Sequence, residues 1–171
     1  MLFKTLAIAL LITGGAVAKD NPIQAVIDQA LEGFKVVAST EPYSRSIERM
    51  YMGLDQNGQP RIGVALRKIE SFKTLAAIVV VEKTPKGYVL RDVLFPDIGK
   101  IQNSKDRAQV LSVLKKFKNI PFNPHAEKSA VDGLTGATPH VSRIGGYLND
   151  MARHIALEME KHPSWIQSKR K

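Results

Sequence analysis

Ala76-Ala77-Ile78-Val79-Val80-Val81 decides the fold. Six apolar residues follow one another, and the last four are β-branched. Such side chains favour an extended backbone. No polar residue interrupts the run, so it predicts a central strand buried on both faces. Upstream, Arg61 to Arg67 places Ile62, Val64 and Leu66 at every second position, which predicts a second strand. Before it, Asp55-Gln56-Asn57-Gly58-Gln59-Pro60 is turn chemistry centred on Asn57-Gly58, and Glu48 to Leu54 is the strand that enters the turn. Downstream, Pro85-Lys86-Gly87 reverses the chain into Tyr88 to Phe95, with Val89, Val93 and Phe95 expected on one side. Consecutive strands joined by short turns predict an antiparallel meander.

Helical patterns flank this series. Asn21 is a cap and Pro22 suits a first helical position. Ile23, Val26, Ile27, Ala30, Leu31 and Phe34 then recur at helical spacing, which predicts a helix to about Val37. Ser39 to Ser46 reads as a loop. After Pro96-Asp97-Ile98-Gly99 the strands end, and Ser104 to Lys118 is a second helix with Val110, Leu111, Leu114 and Phe117 on one stripe. Asn119 to Val131, with two prolines, reads as a loop. Pro139 to about Lys161 is the longest helix, with Ile144, Tyr147, Leu148, Met151, Ile155 and Met159 inward. Together these predict a single α+β domain: an antiparallel β-meander sheet of four or five strands packed by helices.

The chain has 171 residues, enough for one domain with its own core. Residues 1–18 read as a signal peptide. Lys4 gives the positive start and Leu6 to Ile12 the apolar centre, and Ala16-Val17-Ala18 is a cleavage signature before Lys19. The apolar stretch is shorter than the roughly 20 residues that span a bilayer. Export to the periplasm or cell exterior is therefore expected, with an uncleaved, membrane-tethering anchor as the alternative. The domain proper is expected over residues 19–162, followed by a basic, disorder-prone tail over 163–171. There is no cysteine, which excludes disulfides, thiolate-bound metals and lipobox anchoring. His125, His140, His154 and His162 show no metal-binding spacing. The net charge is +9, but the basic residues are scattered with few aromatics among them, which argues against nucleic acid. The excess suits an anionic ligand, an anionic lipid surface or an acidic protein. No nucleophile elbow, phosphate-binding loop or dinucleotide fingerprint is present, and no catalytic residue is assigned.

The chemistry concentrates in Asp132-Gly133-Leu134-Thr135-Gly136-Ala137-Thr138, directly ahead of Pro139. Thr138 before a proline is a strong helix-start signature: a hydroxyl for the unpaired N–H groups, then a residue without one. A good helix start needs nothing more, yet Asp132, Gly133 and Thr135 are also there. Small residues that lead into a helix start bring backbone N–H groups onto an anion.

This stretch resembles the D-x-x-[ST]-G-A-T motif of the FMN-binding domain family. Among its members are the covalently flavinylated subunits of the Rnf and sodium-translocating NADH:quinone reductase complexes. The motif matches completely, and weaker similarity extends over about Glu48 to His154. The resemblance implies FMN joined covalently, through its phosphate, to the hydroxyl of Thr138. The joining is done by a flavin transferase that uses FAD and magnesium. It implies that Asp132, Thr135, Gly136 and Ala137 form the motif around the attachment. His140, Ser142 and Arg143 are further candidates for the phosphate or a flavin carbonyl. Where the family usually carries hydroxyls two and three places after the threonine, this chain has His140 and Val141. The paired Gly145-Gly146 inside a helix suggests close approach of a strand or of the flavin ring. Ile98-Gly99 and Tyr43-Ser44-Arg45-Ser46 are candidate neighbours of that ring. The function implied is electron transfer rather than complete enzymatic turnover. The partners implied are other redox proteins or a membrane quinone-linked complex. The rival expectations are a non-redox or non-covalent ligand-binding module and a small periplasmic flavin reductase.

Overall fold

The computed structural model describes residues 21–39, 43–44, 46–70, 72–126 and 139–167. Helix α1 (Pro22–Ala30) leads into strand β1 (Lys35–Ala38). Four more strands follow: β2 (Arg49–Leu54), β3 (Pro60–Glu70), β4 (Thr74–Thr84) and β5 (Gly87–Leu94). Helix α2 (Ser104–Lys116), strand β6 (Ile120–Phe122), helix α3 (Pro139–Lys161) and the short helix α4 (Ser164–Gln167) complete the order. All six strands form one antiparallel sheet in the order β1-β2-β3-β4-β5-β6. The molecule is a single-domain α+β fold built on a meander.

The β4 run lies at the centre of this sheet, paired with β3 on one side and β5 on the other. Its side chains alternate between two apolar layers. Leu75, Ala77, Val79 and Val81 face α2 and α3, whereas Ala76, Ile78 and Val80 face α1. Both layers are dry, which accounts for the absence of a polar residue between Leu75 and Val81. Helix α3 contributes Ile144, Leu148, Met151, Ala152, Ile155, Ala156 and Met159, all buried. Tyr147, expected on the inward stripe, is only half-buried.

Four local features depart from the pattern-based expectation. The first helix stops at Ala30, because Gly33 takes a positive φ of 82° that turns the chain. Val36 and Val37 then extend as β1, with Val37 opposite Met52. In β5 the register shifts opposite Val80 and Val81, so that Asp92 and Leu90 pair with them and Arg91 is the extra residue. The bulge moves inward positions from even to odd numbers. Tyr88, Leu90, Val93 and Phe95 share the α3 side, and Val89 does not. The sixth strand lies within the expected loop, with Pro121 opposite Val89. A proline is tolerated there because β6 is an edge and its missing N–H breaks no inner ladder. Finally, the polar tail contains α4, whose Ile166 is buried against the core.

A close approach sets how near α3 comes to the sheet. A Cβ on Gly63 would run into the Ile155 side chain, with the Met159 sulfur at 3.1 Å. Glycine at this β3 position lets the helix seat directly on the backbone. On the opposite face a Cβ on Gly53 would lie 2.8 Å from Phe34 Cβ, so β2 receives the α1–β1 connection in the same way.

Candidate functional site

Helix α3 begins at Pro139, the residue after Thr138. Near its start Pro139, Ser142 and Arg143 are exposed. The first turn of any helix carries N–H groups without intrahelical partners and the positive end of the dipole. Asp132, Thr135, Gly136, Ala137 and Thr138 lie outside the described residues, as do Arg45 of the candidate loop and the side chain of His140.

Contacts along α3 show where its start stands. Gly63 lies beneath Ile155 and Met159. Further along β3, the Arg67 guanidinium sits 4.3 Å from the centroid of the Tyr147 ring and 3.6 Å from Asp150. The helix therefore runs antiparallel to β3. From Tyr147 back to Pro139 is about 12 Å at the helical rise. Beyond Arg67, β3 has only about 10 Å of strand left. The start of α3 thus stands at the β3–β4 end of the sheet.

One of the two candidate loops is at this same end. The Asp97 carboxylate accepts a hydrogen bond from the Ala76 backbone N–H at 3.0 Å, close to the start of β4. That bond seats the Ile98–Lys100 turn, and Ile98 packs against the α3-side core. The Tyr43 loop is held elsewhere. The Tyr43 ring meets His154 edge-on at 5.7 Å, about 22 Å along the helix from Pro139. Its hydroxyl pairs with Glu158, and burial foremost, then that carboxylate, raises the phenol pKa well above its ordinary value.

Glu158 is itself buried and takes a second contact from Lys161 at 3.2 Å. On the other flank of α3, His125 lies 2.8 Å from Glu160. Burial, then the charge of Glu160, pushes the Tyr88 phenol up to about 12. These groups tie the C-terminal half of α3 to the loop before β2 and to the segment after β6. Arg67, Tyr147, Asp150 and the Tyr43–Glu158 pair have no sequence signature, because each joins positions far apart in the chain.

Gly145 is buried, whereas Gly146 is exposed and a Cβ there would meet nothing within 4 Å. Among the described residues no protein group crowds Gly146, so the strand approach suggested for the pair is not seen at that residue. Two clefts, of about 420 and 400 Å³, lie away from α3. The first is floored by Val26, Ala30, Val80 and Leu94, and the second lies between Phe34 and Leu54. Among the described residues no group of three or more His, Cys, Asp or Glu is placed to hold a metal ion, and no helix is long and apolar enough to cross a membrane.

Comparison with family models, with characterised proteins and with solved structures finds no match to this chain. The chemistry of the site therefore rests on its own residues.

Proposed function

We propose that the protein is an exported electron-transfer flavoprotein that carries FMN esterified through its phosphate to Thr138. The observation that carries this is the junction itself. A D-x-x-T-G-A-T stretch ends at the residue before Pro139, where a 23-residue helix begins. Pro139 has no N–H, and the first turn of a helix directs backbone N–H groups that lack intrahelical partners toward an anion. A phosphate there gains about 0.3–1 kcal/mol from the dipole, and more where partly buried. The exposed Arg143 guanidinium is one turn away and adds a second source of positive charge.

The residues present suit such a group. Pro139, Ser142 and Arg143 are exposed, which supports access by a transferase. Attachment breaks the phosphoanhydride bond of FAD and forms a phosphate ester to threonine. The Thr138 oxygen displaces AMP from the pyrophosphate of FAD, and the hydroxyl proton leaves to solvent. Bound FMN supplies the redox chemistry. The protein holds the phosphate, sets the exposure of the ring and presents it to a redox protein or a membrane quinone-linked complex. A covalent link also suits a compartment in which a free cofactor would diffuse away.

Co-expression with a flavin transferase, followed by a denaturing gel, tests this. The wild-type band is expected to fluoresce and the Thr138→Val band to be dark. A dark wild type in the presence of active transferase overturns the proposal, and a bright Thr138→Val band places the bond elsewhere.

A further inference from the structure

Positive charge is unevenly distributed over the helices. Residues 21–34, which hold α1, carry Asp28 and Glu32 and no cation. In α3, Arg143, Arg153 and Lys161 balance Asp150, Glu158 and Glu160. Residues 104–118, which hold α2, carry Lys105, Arg107, Lys115, Lys116 and Lys118 against the single carboxylate of Asp106.

The cations on α2 are sorted by face. Val110, Val113 and Phe117 are buried. Lys105, Ala108, Leu111, Ser112, Lys115 and Lys116 are exposed. At 100° per residue these exposed positions cover an arc of about 140° on the side away from the core. Asp106 lies outside that arc and is only half-exposed. Lys100 and Lys118, just beyond the two ends, are paired with Asp97 and Asp92. None of Lys105, Lys115 and Lys116 pairs with a carboxylate among the described residues. Beside them Leu111 is 42% exposed, one of two large apolar side chains so exposed among the described residues.

From this arrangement we infer that the outer face of α2 docks on an anionic phospholipid surface. Lysines without carboxylate partners on one outward face attract an anionic bilayer surface. The ammonium groups meet the headgroup phosphates, with Leu111 at the edge of the face beside Lys115. A protein partner would be expected to meet a face with charges of both signs and a larger apolar centre. The attraction is long-range and salt-sensitive, and each lysine contributes about fivefold in affinity. Docking does not require a flavin. It would hold the Ile98–Lys100 turn, which leads into α2, and hence the start of α3, close to the membrane.

Co-sedimentation of the full chain with vesicles tests this. One set is neutral phosphatidylcholine, and the other contains phosphatidylglycerol at about one third. The neutral set reports whatever the N-terminal apolar segment contributes, and the difference between the sets reports the charged face. Preference for the phosphatidylglycerol vesicles is expected at low salt. It should be lost near 1 M salt, where the screening length falls to about 3 Å. Lys105→Gln, Lys115→Gln and Lys116→Gln combined should reduce the preference about a hundredfold. Gln substitutions on the α1 face, at Asp28 and Glu32, should not reduce it. Equal binding of wild type and the triple variant overturns the inference, as does the absence of any preference at low salt. Lysine-dependent retention on a polyglutamate resin without vesicle preference also overturns it, and points to an acidic protein instead. Unchanged thermal midpoints show that the variants are folded.

Discussion

The Arg67 guanidinium lies over the face of the Tyr147 ring, 4.3 Å from its centroid, while reaching toward the Asp150 carboxylate at 3.6 Å. Arg67 belongs to β3 and the other two to α3, so the contact ties the first half of the helix to the sheet. Its side chain is only 18% exposed, which strengthens the attraction between the cation and the ring relative to a fully solvated pair. Tyr147→Leu keeps apolar volume and removes the ring face. The expected loss is about 0.5–2 kcal/mol in urea-induced unfolding. Arg67→Lys should not restore the contact fully, because an ammonium cannot stack as a planar guanidinium does.

Two glycines should respond to alanine with opposite signs. Gly63→Ala drives a methyl into Ile155 and is expected to cost about 1–3 kcal/mol. Gly146→Ala meets open space in the interior of a helix and is expected to stabilise by up to about 1 kcal/mol. Unfolding midpoints of the two variants check both. A stabilised Gly146→Ala protein that is also poorly flavinylated would locate the flavin ring over that residue.

Alkaline pH should weaken the fold through Tyr88. Burial and Glu160 raise its phenol from the ordinary 10.0 to about 12. Between these values the folded state keeps a proton that the unfolded chain has lost. Its contribution is therefore complete below pH 10 and disappears as pH rises toward 12. Tyr88→Phe should flatten the fall in stability over that window and leave the slope below it unchanged. Denaturant midpoints between pH 8 and 12 measure this. Absorbance of phenolate at the same pH values should show late titration for Tyr43 as well as Tyr88.

Asp97→Ala should loosen the sheet end at which α3 starts. The Ala76 N–H would lose its acceptor, at a cost of about 1–3 kcal/mol for a buried unpaired donor. Amide exchange at Ala76 and Ile98 should accelerate more than at Val79, which sits mid-strand. Lys100→Ala removes only the exposed partner of the same carboxylate and should cost less than about 1 kcal/mol.

The parts of this fold that were legible in the sequence are those set by neighbours along the chain. The apolar run at Ala76 to Val81 identified the central strand, because a segment dry on both faces cannot carry a polar side chain. The cap at Asn21, the helix start at Pro139 and the turn at Asn57-Gly58 were equally clear, since each is local chemistry. The side-chain alternation in β5 was not, because the bulge at Arg91 exists only against β4 and reverses which residues face the helices. Nor was β6, whose Pro121 argues against a strand until its place at the sheet edge is known. The candidate site divides in the same way. The Asp132–Thr138 motif and its junction with a helix are properties of consecutive residues. That Arg67 meets Tyr147, that Asp97 seats the Ile98 turn at the sheet end where the helix starts and that Tyr43 is held near its far half were decided by tertiary packing. The physical reason is range: capping, turns and strand propensity act over a few residues, whereas stacking, register and burial depend on which distant segments the closed core brings together.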